Sequence, residues 1–247
     1  MNIHDLIIKD REVIALDDVF LSNESQKMIQ QFIKEYKYVE ELSKYNLPVN
    51  NTMLLSGSSG CGKTTTAKAI ANRLGKKIYV LNLSNIICSK IGETSQNLKQ
   101  VFDKAGKDKA VLFLDEFDQI GKSRDNSDKE VGEMRRLVNT IIQLMDYYPK
   151  EAVLICATNH QEIIDTALLR RFQLRIQFDM PNQEMLDKYY DKLLKEYPLE
   201  LQDFKRKYDV SYAEAKDYAL TEVKSILIEQ LEKEESMEVI DDSSSKT

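Results

Sequence analysis

The sequence predicts an α/β fold, a parallel sheet with helices on both faces, followed by a smaller all-helical domain. Three observations predict it. Short apolar runs of strand length alternate with longer segments of helical period. A glycine-rich loop lies between one of these runs and the helical segment after it. From Pro181 onward the alternation stops and only helical periodicity remains.

Each element has its own signal. Residues 1–13 read as an N-terminal extension, and the large domain is expected over 14–180. Between Glu24 and Tyr45, Met28, Ile29, Phe32, Ile33, Tyr36 and Val39 recur at helical spacing until Asn46-Leu47-Pro48 stops them. Thr52-Met53-Leu54-Leu55-Ser56 suits a short buried strand, and the run from Thr65 to Leu74 a helix. Lys77–Leu83 is rich in β-formers, and 94–105 looks helical. Ala110–Leu114 and Ala152–Ala157 are apolar throughout, as strands buried on both faces are. Residues 129–146 carry an apolar stripe of Met134, Leu137, Val138, Ile141, Ile142 and Met145. Leu174–Phe178 alternates as a shorter strand. Helices are expected at 183–196, 199–207 and 211–233, within a small domain over 181–233. The acidic, serine-rich stretch 234–247 reads as a disordered tail.

Composition narrows the function classes. A chain of 247 residues with 42% hydrophobic residues can build one large core and a small appendage. The net charge of −6 supplies no global basic field, so nucleic acid is not the favoured partner. Cys61, Cys88 and Cys156 lack paired spacing, and with only His4 and His160 beside them a disulfide framework or zinc site is not expected. Residues 1–10 lack the apolar core of a signal peptide, and no run approaches the roughly 20 apolar residues of a membrane span. A cytoplasmic protein is expected.

The chemistry starts at Gly57-Ser58-Ser59-Gly60-Cys61-Gly62-Lys63-Thr64, a complete Walker A phosphate loop continued by Thr65. Its glycines let successive N–H groups turn toward phosphates, and the helix N-terminus adds positive potential. Lys63 would reach the β- and γ-phosphates, and the Thr64 hydroxyl would hold Mg²⁺. Asp115-Glu116 ends a buried strand, where Asp115 suits the Mg²⁺ shell and Glu116 suits polarising the attacking water. Asn159, at the end of the next apolar strand, is either a turn residue or a ligand to the γ-phosphate or the lytic water. Arg170 and Arg171 are either surface charges or arginine fingers.

Taken in order, these parts resemble the AAA ATPase family over about 14–233, within the P-loop NTPases. The resemblance runs through the phosphate loop, Asp115-Glu116, a sensor-1 Asn at Asn159, an arginine finger at Arg170 or Arg171, and a helical lid after Pro181. The stretch Leu114–Arg124 and the run Ser211-Tyr212-Ala213-Glu214 look like family sequence as well. The likeness implies adenine contacts from Asp18 and Val19 in the opening segment Leu16–Phe20, and from Tyr212 and Ala213 at the start of the lid helix. It is closest to compact stand-alone bacterial and phage members, some encoded beside subtilisin-like proteases. These share Leu-Leu-Arg-Arg-Phe, and the shortened motif leaves open which arginine is the finger.

One departure is informative. The family's first pore loop carries an aromatic ring where Lys90 stands here, and a lysine does not wedge between peptide side chains as a flat ring does. Lys122 and Arg124 fall in the second pore-loop segment. The resemblance implies an ATP- and Mg²⁺-dependent hydrolase in a homo-oligomeric, hexameric ring that remodels a macromolecule, most simply protein. With so short a segment before residue 14, specificity is expected from a protein partner such as a protease. The alternatives are an ATP switch that gates a partner without threading, and a nucleic-acid motor using Lys90, Lys122 and Arg124.

Overall fold

The computed structural model describes residues 7–9, 12–84, 91–120 and 128–244. The apolar runs become β2 (Thr52–Gly57), β3 (Ile78–Asn82), β4 (Val111–Asp115), β5 (Val153–Thr158) and β6 (Leu174–Phe178), preceded by a two-residue β1 (Ile8–Lys9). They form one sheet in the order β1-β3-β4-β5-β2-β6. β1 pairs antiparallel with β3, Ile8 opposite Val80, and every other pairing is parallel.

Because side chains alternate across a strand, each apolar run supplies two faces. Leu54, Leu112, Leu114, Leu154 and Cys156 pack in one core cluster with α4 (Ile91–Lys107) and α5 (Asp128–Asp146), through Leu98, Val101, Phe102, Leu137 and Ile141. Met53, Leu55, Val111, Phe113, Val153 and Ile155 pack in the other with α1 (Asn23–Lys37) and α3 (Lys63–Arg73), through Ile29, Phe32, Ala67 and Ile70. Helices therefore cover both faces, and β4 and β5 need no polar side. The single helix expected over 24–45 is broken at Tyr38. Its N–H turns back to Glu35 and Tyr36 carbonyls, and α2 (Val39–Lys44) starts afresh.

The chain divides into two compact units, Met1–Asp179 and Met180–Thr247. In the second, α7 (Gln183–Leu194) is capped by Asn182, whose side chain accepts from the Met185 N–H. The helix expected at 199–207 is reduced to one 3₁₀ turn, Leu199–Leu201. The chain beyond it stays irregular because its groups are committed to α7: Arg206 pairs with Asp187 and Asp191, and the Tyr190 hydroxyl donates to the Lys207 carbonyl at 2.9 Å. Ser211 and Glu214 form a capping box, each side chain accepting from the other's N–H at 3.3 and 2.8 Å, and this starts α8 (Tyr212–Ser244). α8 continues helically from Glu234 to Ser244, within the stretch read as an unstructured tail. That run has no Gly or Pro to stop it, and Glu229 and Lys233 sit at the supportive i,i+4 spacing.

Candidate functional site

The parallel pairing that builds the sheet also gathers three strand ends. Ser56 of β2 lies opposite Thr158 of β5, and Leu114 of β4 opposite Cys156. The loop after Gly57, the pair Asp115-Glu116 and the Asn159 turn thus meet at the C-terminal edge, where open α/β sheets hold ligands.

Gly57 leaves β2 at φ +137°, and a Cβ there would sit 2.0 Å from the Phe178 carbonyl oxygen of β6. Gly62, at φ 96°, caps α3. Lys63 opens that helix and is buried, with Nζ donating to the Gly57 carbonyl (2.7 Å), the Ser58 carbonyl (2.8 Å) and Asn159 Oδ1 (2.8 Å). Burial lowers its pKa, and the nearby Cys61, Asp115 and Asp118 act against that shift. Thr64 Oγ1 lies 3.4 Å from Asp115 Oδ2. Burial raises the Asp115 pKa and neighbouring Glu116 adds to the rise, while the Glu116 N–H, Lys63 and Thr64 oppose it.

Glu116 adopts φ 55°, unusual for a non-glycine residue, and starts the 3₁₀ turn Phe117–Ile120. Its N–H donates to Asp115 Oδ1 at 2.9 Å, and its carboxylate accepts from the Ser84 hydroxyl. Ser84 follows β3, whose Asn82 is in register with Asp115. No motif singles Ser84 out; only the pairing of β3 with β4 brings it to Glu116. Asp118, within the family-like stretch Leu114–Arg124, has no role that its sequence context assigns. It accepts from the Thr158 hydroxyl and the Asn159 N–H at 3.1 and 3.4 Å.

The arginines are not part of this cluster. They follow α6 (Thr166–Leu169), and the Arg171 carbonyl accepts from Thr52 Oγ1 at 2.6 Å, at the start of β2. The phosphate loop leaves the other end of that strand, roughly 17 Å away at a strand rise of about 3.3 Å per residue. Arg171 grips Asp146 with two nitrogens at 3.0 and 3.1 Å and the Ala167 carbonyl with a third at 2.8 Å. The Arg170 side chain is exposed, with no hydrogen bond or ion pair among the described residues.

Asp18 and Val19 lie at the 3₁₀ turn Leu16–Asp18. The chain just before that turn docks on α3, the Ile14 carbonyl accepting from Asn72 Nδ2 at 2.9 Å. Tyr212 and Ala213 belong to the second unit, where the Tyr212 ring packs on Tyr189 at 5.0 Å. Lys90, Lys122 and Arg124 fall outside the described residues.

The residues fit a phosphate chain and its cation. Gly57, Gly60 and Gly62 all have positive φ, a buried ammonium faces the loop, and a hydroxyl stands beside a carboxylate. No cluster of three His, Cys, Asp or Glu among the described residues would hold a metal alone. A cation beside Thr64 and Asp115 would draw its other ligands from phosphate and water, as Mg²⁺ does.

Residues 53–180 match the sequence model of the ATPase family associated with various cellular activities, AAA. The chain belongs to the AAA ATPase family. It is 32% identical over 217 residues to the uncharacterized AAA family ATPase y4kL of Sinorhizobium fredii, covering 87% of this chain and 66% of that protein. It is 31% identical over 190 residues to a putative 26S proteasome regulatory subunit homolog of Methanothermobacter thermautotrophicus, covering 74% and 50%. With the ATP-dependent zinc metalloprotease FtsH of Lachnoclostridium phytofermentans it shares 33% over 189 residues, covering 72% and 33%. The AAA chain thus spans from about two thirds to one third of these relatives. No described helix is long and apolar enough to cross a membrane.

Proposed function

We propose that this AAA domain binds ATP with Mg²⁺ and hydrolyses it in a homo-oligomeric ring, coupling turnover to the remodelling of a protein through a partner. The observation that carries the reading is the meeting of Lys63, Thr64, Asp115, Glu116 and Asn159 at three adjacent strand ends. The three acceptors on Lys63 Nζ are all neutral oxygens, so a phosphate oxygen is the better partner for a cation that burial disfavours. Thr64 and Asp115 would hold Mg²⁺, which when bound neutralises charge on the phosphates. Glu116 orients and polarises the attacking water, with one carboxylate oxygen steadied by Ser84. Asn159 leaves Lys63 to hydrogen-bond the γ-phosphate or that water.

Arg170 reaches the γ-phosphate held by the neighbouring copy, and Arg171 fixes the turn that presents it. Two findings support this division: both arginines lie at the far end of β2 from their own loop, and among the described residues only the Arg171 side chain is engaged. Asp18 and Val19 contact the adenine. One relative is named a putative 26S proteasome regulatory subunit homolog and another an ATP-dependent zinc metalloprotease, which supports protein as the remodelled material and a protease as partner. The setting in this reading is the cytoplasm. Lys90 favours a second reading, an ATP switch that gates its partner without threading.

Nucleotide binding and phosphate release by Glu116→Gln test the assignment. Binding should persist while turnover falls by about 10²–10⁴, the range for losing a general base. Phosphate release at the wild-type rate would remove Glu116 from the mechanism.

A further inference from the structure

Two buried residues of charged type occur among the described residues, Lys63 at 8% exposure and Asp118 at 2%. Both hold Asn159, one at its side chain and one at its backbone. Lys63 Nζ donates to its side-chain Oδ1 at 2.8 Å, and its backbone N–H donates to Asp118 Oδ1 at 3.4 Å. The hydrolytic scheme above uses Lys63 and Asn159 and leaves Asp118 without a task.

We propose that Asp118 is a positioning residue for hydrolysis, clamping the Thr158–Asn159 backbone so that the Asn159 amide faces the γ-phosphate position. The inference rests on the ATP-hydrolysing reading of the site. β5 ends at Thr158, and beyond it Asn159 is exposed and has left the sheet ladder. Asp118 Oδ1 replaces the ladder by accepting from two successive residues, the Thr158 hydroxyl at 3.1 Å and the Asn159 N–H. The Thr158 hydroxyl in turn accepts from the His160 N–H at 3.0 Å, so residues 158–160 are fixed together. On its other side Asp118 sits in the 3₁₀ turn that Glu116 begins at φ 55°. One carboxylate thus ties the turn carrying the water-polarising residue to the turn carrying the amide. Its charge also favours the protonated Lys63, in line with the same geometry.

A carboxylate buried only for the fold would give a different result from one that positions Asn159. The test is a double-mutant cycle on the full chain, with ATPase kcat, Kd for a fluorescent ATP analogue, and thermal stability measured for each protein. Asp118→Ala should lower kcat on the order of 10²-fold, the scale of a misplacement of about 1 Å, with Kd held within about threefold. On an Asn159→Ala background, Asp118→Ala should lower kcat no further, because residues acting through one another are not additive. Asp118→Asn keeps an Oδ1 acceptor and should lose less than Asp118→Ala. If Asp118→Ala does not fold, the cycle is read with Asp118→Asn, whose loss must also vanish when residue 159 is alanine. Wild-type kcat in Asp118→Ala, a loss carried by Kd, or losses that multiply across the cycle would each overturn the proposal. Wild-type turnover by Asn159→Ala would instead overturn the reading of the site on which it rests.

Discussion

Gly57 and Gly62 both have positive φ in the same loop, yet alanine should affect them very differently. At Gly57 a Cβ would stand 2.0 Å from the Phe178 carbonyl oxygen and 2.8 Å from its carbon. Ordinary contact begins at 3.4 Å, so the shortfall against the oxygen is 3.4 − 2.0 = 1.4 Å. The obstacle is backbone of β6, in register with Gly57 across a parallel pair, and no rotamer change relieves it. Backbone strain at φ +137° costs about 1–3 kcal/mol, and the forced shift of β6 about 1–3 kcal/mol more. The centre of that range is about 4 kcal/mol, or a Tm loss of about 12 °C at about 3 °C per kcal/mol for a domain of this size. At Gly62 nothing lies within 4 Å of the added Cβ, so only the left-handed conformation is penalised. That costs about 1–2 kcal/mol, a Tm loss of about 3–6 °C. Thermal unfolding of the nucleotide-free full chain, followed by circular dichroism, measures both. Equal losses at the two positions, or a Gly57→Ala protein as stable as wild type, would refute the argument that β6 backbone sets the requirement for glycine at 57.

Lys63→Ala removes the buried ammonium facing the loop and should abolish ATP binding in a fluorescent-analogue titration. Arg170→Ala should lower ATPase by about 10³-fold or more without lowering Tm. Mixing it with Glu116→Gln subunits should restore some hydrolysis, and no recovery would argue against action in trans. Arg171→Ala should lower Tm as well as activity, since it loses its grip on Asp146 and the Ala167 carbonyl. In the second unit, Asp187 is held below its ordinary pKa by the Tyr208 hydroxyl first and then by Arg206. A carboxylate with a depressed folded-state pKa stabilises in full above its ordinary value of 3.8 and loses that contribution as pH falls through the folded value. Stability should therefore drop in acid more steeply for wild type than for Asp187→Asn, as pH-dependent unfolding would show.

Much of the first unit was legible because its signals are local. A run such as Val111–Leu114 needs only its own residues to announce a strand buried on both faces, and the Gly57–Thr64 spacing needs only its neighbours to announce a loop between strand and helix. Asp115-Glu116 and Asn159 could be placed at strand ends for the same reason. Where the signal was weaker, the outcome differed. Basic residues 205–207 fit a helix by composition, but they lie in an irregular segment with Arg206 paired to α7 carboxylates. The charged run after Glu234 looked like a tail, yet nothing in it breaks α8.

The side-chain partnerships of the candidate site were another matter. Lys63 and Asn159 are 96 positions apart in the chain, and Ser84 and Glu116 are 32 apart. Neither pair follows from any period or motif, because each depends on which strand lies beside which. The order β3-β4-β5-β2 brings Ser84 to Glu116, Asp118 to Thr158 and Asn159 to Lys63. The adjacent arginines are alike as sequence, and only the packed chain separates one gripped by Asp146 from one exposed. Local spacing was enough to specify the phosphate loop and the strands around it, since backbone conformation and burial pattern are set within a few residues. That Ser84 attends Glu116 and Asp118 holds the Thr158–Asn159 turn was decided by strand order and register, which act between segments that the chain keeps far apart.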